Sequence, residues 1–233
     1  MKMNDWNIIH IDEMNSTMDY VRTHLSELPN RSIVWADIQH RGRGRGKNTW
    51  LSPTGGLWFS TLFKNKGVSD AWHITMAFSV AVVSTLKMHS VDAWIKWPND
   101  VYVKNKKIAG ILVENVIKGN QISQIVGIGL NVNNDIDETL EDKATSLLQQ
   151  TGERHSIKSM LTMIMNEYDS IDSKTLYERW SQFSFRLLCT DVKLIDVKGK
   201  IHKGKVMNLF ENGSIELKEE SGEEIFKAGS LIL

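Results

Sequence analysis

The chain has 233 residues, of which 41% are hydrophobic and 24% are charged, and it carries 28 basic and 28 acidic side chains. This length suits one sizeable domain together with a small one, and the composition is ordinary for a globular protein. Because the formal net charge is zero, the composition argues against a general nucleic-acid binder, which would normally carry an excess of basic residues.

The single cysteine, Cys189, excludes an intramolecular disulfide and a cysteine-based metal cluster, and we expect it to be a small buried residue. No apolar run follows the N-terminal lysine, so no signal peptide is predicted. No segment approaches the roughly 18 consecutive apolar residues that are typical of a membrane span. These features predict a cytoplasmic protein that does not associate with membranes.

The first half of the chain is predicted to contain apolar strands and two helices. The sequence Ser-Thr-Met-Asp at 16–19 matches a capping box and predicts a helix over 18–28, with the hydroxyls of Ser16 and Thr17 exposed at its start. Apolar residues at helical spacing predict an amphipathic helix over 71–88. Strands are predicted over 6–11, 32–38, 57–63, 93–97, 101–103, 108–115 and 122–132. Because the last four are joined by short connections, we expect them to pair antiparallel.

The second half is predicted to begin with helices and to end with short strands. A short helix is predicted over 144–148, and Ser156 and Ser173 are placed as the N-caps of helices over 157–170 and 174–187. Towards the C-terminus, strands separated by glycine-containing turns are predicted over 192–197, 204–210, 214–217 and 224–227.

This order of elements predicts an α+β fold with two domains. The larger domain, over 1–187, would be a mixed sheet with helices on one face. The smaller domain, over 188–233, would be a small β-barrel.

A run of basic residues and glycines follows the second predicted strand, beginning at Gln39 and ending at Pro53. Backbone N–H groups beside guanidinium groups suit a polyanion such as a triphosphate, and we expect this loop to order around one. A solvated basic loop or a nucleic-acid contact would account for the same stretch about equally well. The basic side chains belong to Arg41, Arg43, Arg45 and Lys47.

A second segment, Lys-Trp-Pro-Asn-Asp at 96–100, places polar residues at a strand end. Pro98 interrupts a strand, so Asn99 and Asp100 are expected to face outward, where they could help to hold a magnesium-bound phosphate. Asn and Asp beside proline are also common turn formers.

Two more strands contain glycines. Lys107 precedes an apolar strand that Gly110 interrupts, and the third segment, 127–133, reads Gly-Ile-Gly-Leu-Asn-Val-Asn. A glycine inside a strand marks either close approach of a ligand to the backbone or a bulge.

Other kinds of chemistry find no support in the sequence. The seven histidines are scattered, with no pair or carboxylate partner at metal-ligand spacing, so no zinc site is predicted. The serine hydrolase motif Gly-x-Ser-x-Gly and the phosphate loop of nucleotide-binding proteins are both absent. Pattern alone therefore predicts an enzyme that binds an anionic nucleotide.

The three segments together resemble the catalytic domain of the biotin–protein ligases. Ser16-Thr17 and the Ala-Thr-Ser-Leu run at 144–147 also match, and the motifs lie in order over most of residues 5–150. This combination is highly specific, whereas a basic glycine loop alone would not be. The resemblance implies a class II synthetase-like catalytic domain followed by an SH3-like barrel.

The resemblance also implies a two-step reaction that needs ATP, biotin and Mg²⁺. Biotin would attack the α-phosphate of ATP to give biotinyl-5′-adenylate and pyrophosphate. A lysine of the biotin carboxyl carrier domain of acetyl-CoA carboxylase, or of a related enzyme, would then accept biotin. Fixed cations would offset the repulsion between carboxylate and phosphate, so no protein nucleophile is needed.

Individual roles follow from the same resemblance, and no side chain is assigned as a direct metal ligand. The catalytic residues would be Lys107, Arg45 and Arg43. The biotin site would comprise Ser16, Thr17, Gln39, Gly42, Arg43, Arg45, Lys107 and Gly110. The ATP site would comprise Arg45, Trp50, Asn99, Asp100, Lys107 and Asn131.

The sequence departs from the family pattern at three places. Met18 stands where relatives often have asparagine, and Gly46-Lys47 shifts the basic spacing of the loop. Ser16-Thr17 comes too early to leave room for the N-terminal helix-turn-helix domain of some relatives, so no operator DNA binding is predicted.

Two alternatives remain at this stage. A lipoate ligase or octanoyl transferase shares the fold and uses related chemistry. An RNA-binding module would use the arginines and glycines as a basic tract, but it leaves the second and third segments unexplained. The oligomeric state is open, with a homodimer as one option.

Overall fold

The computed structural model describes residues 5–46, 48–65, 67 and 70–233. It contains one seven-stranded sheet and one five-stranded sheet. The larger sheet comprises β1 (Asn7–Met14), β2 (Ser32–Gln39), β3 (Leu57–Lys64), β4 (Ala93–Lys96), β5 (Asp100–Val103), β6 (Lys106–Lys118) and β7 (Gln121–Leu130). The smaller sheet comprises β8 (Asp191–Ile195), β9 (Ile201–Leu209), β10 (Ile215–Glu219), β11 (Gly222–Phe226) and β12 (Ser230–Ile232). The helices are α1 (Thr17–Thr23), α2 (Asp70–Met88), α3 (Leu147–Thr151), α4 (Ile157–Ser170) and α5 (Leu176–Ser184).

The larger sheet is mixed, with the strand order β1-β2-β3-β7-β6-β5-β4. β1 and β2 are parallel and are connected through α1, whereas the other neighbouring pairs are antiparallel. The antiparallel pairing predicted for the last four strands is therefore confirmed. The smaller sheet is antiparallel throughout.

Helices cover the two faces of the larger sheet unequally. Side chains alternate across a strand, so Ile33 joins the large core under α2, α4 and α5, while Val34 packs on the other face against Met18 and Val21 of α1. The predicted α+β class with a mixed sheet is confirmed, and α1 is the one named helix that lies away from the main helical layer.

Helix α2 forms the middle of the large core. By length and composition, its residues 71–88 would be apolar enough to cross a membrane, but 67% of this window is buried inside the protein. Phe78, Val82 and Leu86 have no exposed surface. This burial is typical of the core helix of a globular protein.

Several element boundaries differ from the predictions because tertiary contacts decide them. Helix α1 ends at Thr23, since the chain leaves helical geometry at His24. Ser173 does not cap α5, which begins after Thr175 without a side-chain cap, whereas Ser156 caps α4 as predicted. Cys189 is exposed rather than buried.

Aromatic side chains join the smaller sheet to the larger domain. The indole N–H groups of Trp72 and Trp97 donate to the carbonyls of Glu211 and Gly213 at 3.1 and 2.9 Å. The hydroxyl of Tyr177 donates to a backbone carbonyl of β9 at 2.7 Å. These bonds hold the C-terminal segment beside the larger sheet, while a domain boundary at residue 188 stays a prediction.

A buried ion pair ties the N-terminal segment to α4. The guanidinium of Arg31 donates to both carboxylate oxygens of Asp169 at 2.7 and 2.9 Å, and Trp6 Nε1 donates to the same carboxylate at 2.9 Å. The side chain of Asp169 is only 4% exposed. Because removal of Asp169 would leave these buried donors unpaired, the contact should matter for stability.

We expect Asp169→Ala to lower the free energy of unfolding by about 3 kcal/mol, since it breaks a largely buried pair. Urea denaturation monitored by tryptophan fluorescence measures this change. Exposed Glu178 on α5 offers the matched control, and Glu178→Gln should stay within about 0.5 kcal/mol of the original chain. Equal stability of both variants would contradict the prediction.

Candidate active site

The basic loop, the ends of several strands and β12 surround a cavity of about 220 Å³. A larger groove of about 1140 Å³ adjoins it, and Gln39, Thr49, Trp50 and Lys107 line both spaces. We call them the small cavity and the large groove. Their shared wall is where two ligands bound side by side would meet.

Most of the predicted site residues come together here. The small cavity is lined by Thr17, Gln39, Arg43, Arg45, Trp50, Asn99, Asp100, Lys107 and Gly110. Asn131 lines the large groove. Ser16 and Gly42 line neither space, and Lys47 lies outside the described residues.

The polar end of the small cavity is built around Thr17 and Gln39. Gln39 Oε1 accepts from the backbone N–H and the hydroxyl of Thr17 at 2.8 and 3.0 Å, and the Thr17 hydroxyl lies 2.7 Å from Ser60 Oγ. The Gln39 amide group donates to Ser52 Oγ at 2.9 Å. These bonds fix the orientation of the glutamine amide before any ligand arrives.

The expected exposure of the Ser16 and Thr17 hydroxyls was wrong, since the residues are only 3% and 2% exposed. Ser16 Oγ accepts from the Asp19 N–H at 3.3 Å, so it caps α1 from behind the cavity. Thr17 faces β3 because α1 packs on the sheet, and sequence pattern alone does not reveal that contact.

The basic loop closes on itself through isolated strand-like pairs. Gln39 pairs with Ser52 and Arg43 with Thr49, and the N–H of Trp50 donates to the Gly42 carbonyl at 2.9 Å. A Cβ atom on Gly42 would lie 2.3 Å from the Trp50 carbonyl oxygen, so only glycine permits this close approach.

Arg43 is held by carboxylates rather than left free. Its guanidinium donates to Glu114 Oε1 and Oε2 at 2.7 and 3.1 Å and to Asp19 at 3.0 Å. Arg22 also pairs with Glu114. A bidentate pair of this kind fixes geometry as well as charge. The immediate role of Arg43 in this structure is therefore to fasten the loop to β6 and α1.

Glu114→Gln is expected to loosen the loop, because an amide keeps the shape of the carboxylate but loses its charge and part of the bidentate pair. Trypsin should then cleave after the loop arginines roughly tenfold faster, as expected for a loss of about 1.4 kcal/mol. Mass spectrometry of the fragments measures this rate. Asp19→Asn is the matched control, because the Asp19 side chain is 52% exposed and a smaller acceleration is expected. Equal rates in all three proteins would contradict the role of Glu114.

Asp100 lies among three cationic side chains. Lys107 Nζ is 2.6 Å from Asp100 Oδ1 and 4.9 Å from the centre of the Trp50 ring. Burial lowers the pKa of Arg45, and the charge of Asp100 opposes this effect. Burial also lowers the pKa of Lys96, where Asp100 again acts in the opposite direction while Lys107 and Arg45 reinforce the decrease. This cluster has a positive surplus that an anionic ligand would neutralise.

Lys96 was missed as a site residue, although it belongs to a motif singled out in the sequence. It is 9% exposed, and its Nζ donates to the Tyr102 hydroxyl at 3.1 Å. Burial, with the nearby charge of Asp100, raises the pKa of Tyr102 to about 12, so this hydroxyl stays protonated near neutral pH. Only its place in the Lys-Trp-Pro-Asn-Asp motif could have pointed to it, because its burial is decided by the fold.

Arg45 reaches across the cavity to the smaller sheet. Its Nη2 donates to Ser230 Oγ on β12 at 2.6 Å. Ser230 and Leu231 also line the small cavity. The C-terminal segment thus completes one wall of the site, and no sequence motif pointed to these residues.

The strand glycines make room for Trp50 and Lys107. A Cβ atom on Gly129 would lie 2.6 Å from Trp50 Nε1, and one on Gly110 would lie 3.1 Å from Trp50 Cζ3 and 3.2 Å from Lys107 Nζ. The sheet surface is therefore flat where the indole lies on it. The register between β5 and β6 shifts between Val101 and Tyr102, close to Gly110, so the predicted bulge lies nearby, while close approach of a ligand to Gly110 stays a prediction.

Two predicted amide side chains make bonds inside the protein. Asn99 Nδ2 donates to the Ile111 carbonyl at 2.6 Å. Asn131 is 6% exposed, and its Nδ2 donates to the Thr145 carbonyl at 3.0 Å. Asn131 therefore holds the 144–147 segment against the sheet, beside the backbone of Lys107, which bonds to Lys143 and Thr145.

The model of the Biotin/lipoate A/B protein ligase family matches residues 11–133, more than half of the chain. Among curated relatives, "Biotin–protein ligase 1, chloroplastic" of Arabidopsis thaliana is 37% identical over 134 residues, or 54% of this chain and 36% of the relative. "Bifunctional ligase/repressor BirA" of Bacillus subtilis is 28% identical and covers 95% of this chain and 72% of that protein. The chain thus spans little more than a third of the length of the Arabidopsis relative.

A solved structure resembles the whole chain. Biotin protein ligase from Aquifex aeolicus, in complex with biotin and ATP, is 29% identical with a TM-score of 0.82. The match covers 97% of both chains. Both sheets of the present structure therefore fall within the compared region.

Proposed function

Since the chain belongs to the Biotin/lipoate A/B protein ligase family, we propose that it activates biotin with ATP to biotinyl-5′-adenylate and pyrophosphate. It then transfers biotin to a lysine of a biotin carboxyl carrier domain. The observation that carries this proposal is the position of Lys107 where the small cavity meets the large groove. The names and the bound ligands of the similar proteins support it.

Biotin would occupy the small cavity. Its ureido ring would lie toward Thr17 and Gln39, whose fixed amide and hydroxyl supply polar contacts, while apolar side chains such as Phe59 and Leu112 line the same cavity. Gly110 keeps the opposite side open for Trp50 and for the Lys107 ammonium. Ser16 and Gly42 would support this wall without lining the cavity. Ser16 caps α1, and Gly42 allows the close approach of Trp50 at the base of the loop.

ATP would occupy the large groove, with its α-phosphate at the wall shared with the small cavity. Trp50 offers an aromatic surface there, and Asn131 holds the adjoining segment in place. The apolar side chains of Ile136 and Leu140 line the same groove and suit a nucleobase. Biotin carboxylate and α-phosphate would then meet beside Lys107.

The chemistry at that meeting point is mainly electrostatic. Carboxylate and phosphate repel each other, and negative charge grows on the α-phosphate during attack. Lys107 places a compact positive charge at this point, and Arg45 adds a second one. Because these charges are fixed by Asp100, Trp50 and Ser230 before the reaction, little reorganisation is needed.

Mg²⁺ fits the oxygen donors that lie beside Lys107 in the small cavity. Asp100 presents a carboxylate and Asn99 an amide at the cavity, and oxygen donors beside phosphates are what Mg²⁺ prefers. When bound, Mg²⁺ would neutralise part of the triphosphate charge. Asp100 would hold the ion, and the ammonium of Lys96 would balance part of the charge of the Asp100 carboxylate.

The carrier lysine would enter once pyrophosphate has left. The basic loop, fastened by Arg43 to Glu114, would cover the mixed anhydride and protect it from water until then. We further propose a cytoplasmic location and expect neither membrane association nor operator DNA binding. A homodimer is one assembly compatible with this activity.

Exchange of labelled pyrophosphate into ATP, with Mg²⁺ present, tests the first step. We expect exchange that requires biotin and is not supported by lipoate or octanoate. Exchange with lipoate or octanoate alone would keep the fold but change the substrate. No exchange with any of the three acids, from protein that is folded by circular dichroism, would overturn the proposal.

A further inference from the structure

Three ionisable side chains meet on the smaller sheet, away from the small cavity and the large groove. His202 on β9 lies with its Nδ1 2.8 Å from Glu219 Oε1 at the end of β10 and 3.5 Å from Glu224 Oε2 on β11. His202 and Glu219 are 17 residues apart along the chain, so sequence spacing did not suggest a site. No histidine has a carboxylate partner at metal-ligand spacing along the sequence, whereas strand pairing brings two glutamates to His202.

We propose that His202, Glu219 and Glu224 form a binding site for a divalent transition-metal ion such as Zn²⁺. One atom from each side chain lies within 4.8 Å of the other two, so small side-chain movements would let one ion contact all three. Bonds of about 2.1 Å around a zinc ion separate neighbouring ligand atoms by about 3.0–3.4 Å. The observed 2.8 and 3.5 Å separations bracket this range.

The burial of these groups favours an occupied site. The His202 side chain is 2% exposed and that of Glu219 is 17% exposed, whereas the Glu224 side chain is 54% exposed. The histidine and the first glutamate are therefore largely shielded from solvent, and the second glutamate leaves an entry path for an ion. Charged carboxylates beside a largely buried group are costly unless a cation compensates them.

The second ring nitrogen of His202 has the environment of a metal-bound imidazole. Nε2 is buried without a hydrogen-bond partner and lies 3.5 Å from Asp196 Oδ2. Asp196 is itself oriented, because its Oδ1 accepts from the N–H groups of Lys198 and Lys200 at 2.8 and 2.9 Å. A histidine that binds a metal through Nδ1 carries its proton on Nε2 and usually donates it to a carboxylate. A small shift would bring Nε2 within hydrogen-bond distance of Asp196.

The ligand set also limits which ion fits. One imidazole and two carboxylates suit Zn²⁺ or Mn²⁺, whereas ions that prefer oxygen alone gain nothing from the histidine. The ion would join β9, β10 and β11, which are neighbours in the smaller sheet. Its expected effect is on the stability of the smaller sheet.

Titration of the full chain with Zn²⁺ tests the proposal, after EDTA treatment and buffer exchange, against a chromophoric chelator that competes for the ion. We expect one equivalent to bind with a dissociation constant on the order of 1 μM or lower and to raise Tm by at least about 2 °C. Glu224→Gln should weaken binding by roughly tenfold or more, since it replaces a charged ligand by an amide. Because Glu224 is exposed, this variant is expected to fold.

Two control variants locate the ion. Glu223→Gln changes an exposed neighbour on the same strand and should leave the affinity unchanged. His10→Gln removes the histidine of an exposed His10, Asp12 and Asp37 group and should also leave it unchanged. The proposal is overturned if the original chain binds no Zn²⁺ at 1 mM, on the order of the weakest specific sites. It is also overturned if Glu224→Gln binds as tightly as the original chain, or if His10→Gln alone loses binding.

Discussion

Lys107→Ala is expected to lower biotin-dependent pyrophosphate exchange by roughly 10²–10³-fold, the usual cost of removing one fixed group that stabilises transition-state charge. Lys107 Nζ is held between Asp100 at 2.6 Å and the Trp50 ring at 4.9 Å. In the proposed reaction this ammonium faces both the biotin carboxylate and the α-phosphate. Its loss leaves Asp100 without its close partner, which adds repulsion toward phosphate.

The neighbouring lysine provides a matched control for this variant. Lys106 begins the same strand and directs its ammonium toward the Glu141 carbonyl. Lys106→Ala should retain exchange within about twofold, because Lys106 lines neither the small cavity nor the large groove. Both variants should melt within a few degrees of the original chain. Full exchange activity of Lys107→Ala would remove Lys107 from the proposed mechanism.

The sequence predicted an element correctly where residues next to it in the chain determine its ends. Helix α4 was predicted with its observed bounds, because Ser156 caps it and its apolar residues have helical spacing. The strand β12 was not predicted, because three residues carry no periodicity and pair with β8 through a long-range contact. The five residues that follow Thr23 were predicted as helix, yet they form turns in which the N–H groups of Glu27 and Leu28 both donate to the His24 carbonyl.

The candidate site shows the same division between local pattern and tertiary contact. The loop, the Lys-Trp-Pro-Asn-Asp segment and Lys107 lie within motifs, and the fold brings them to one cavity. Their partners could not be predicted, since strand order decides which side chains meet. Glu114 reaches Arg43 because β6 crosses beside α1, and Ser230 reaches Arg45 across 185 residues of sequence.

Burial of polar groups was the least predictable property. Ser16 and Thr17 lie at a helix start, where exposure is usual, yet α1 presses them against the sheet. Lys96 is almost buried because Tyr102 and Asp100 lie beside it. In both places the cost of desolvation is offset by hydrogen bonds that only the folded chain provides.

Arg45 links the basic loop to the smaller sheet, and this position suggests how the adenylate would be retained. Its guanidinium donates to Ser230 at 2.6 Å and interacts with the charge of Asp100. Arginine can hold Ser230 and a phosphate oxygen at the same time, because its donors are arranged in a planar fork. The loop would thereby be closed over the mixed anhydride from the side of β12.

Arg45→Ala is therefore expected to release biotinyl-5′-adenylate roughly 10- to 100-fold faster, which corresponds to the loss of a hydrogen bond to a charged group. Rapid gel filtration of enzyme loaded with labelled biotin and ATP, in the absence of the carrier domain, measures this rate. Ser230→Ala removes the hydrogen bond that anchors Arg45 but keeps the guanidinium charge. It should therefore accelerate adenylate release less than Arg45→Ala does. Arg41→Ala changes an exposed arginine of the same loop and should leave the rate unchanged. If Arg45→Ala and Arg41→Ala release the adenylate at the same rate as the original chain, Arg45 does not close the site. The loop must then be held by Arg43 and Glu114 alone.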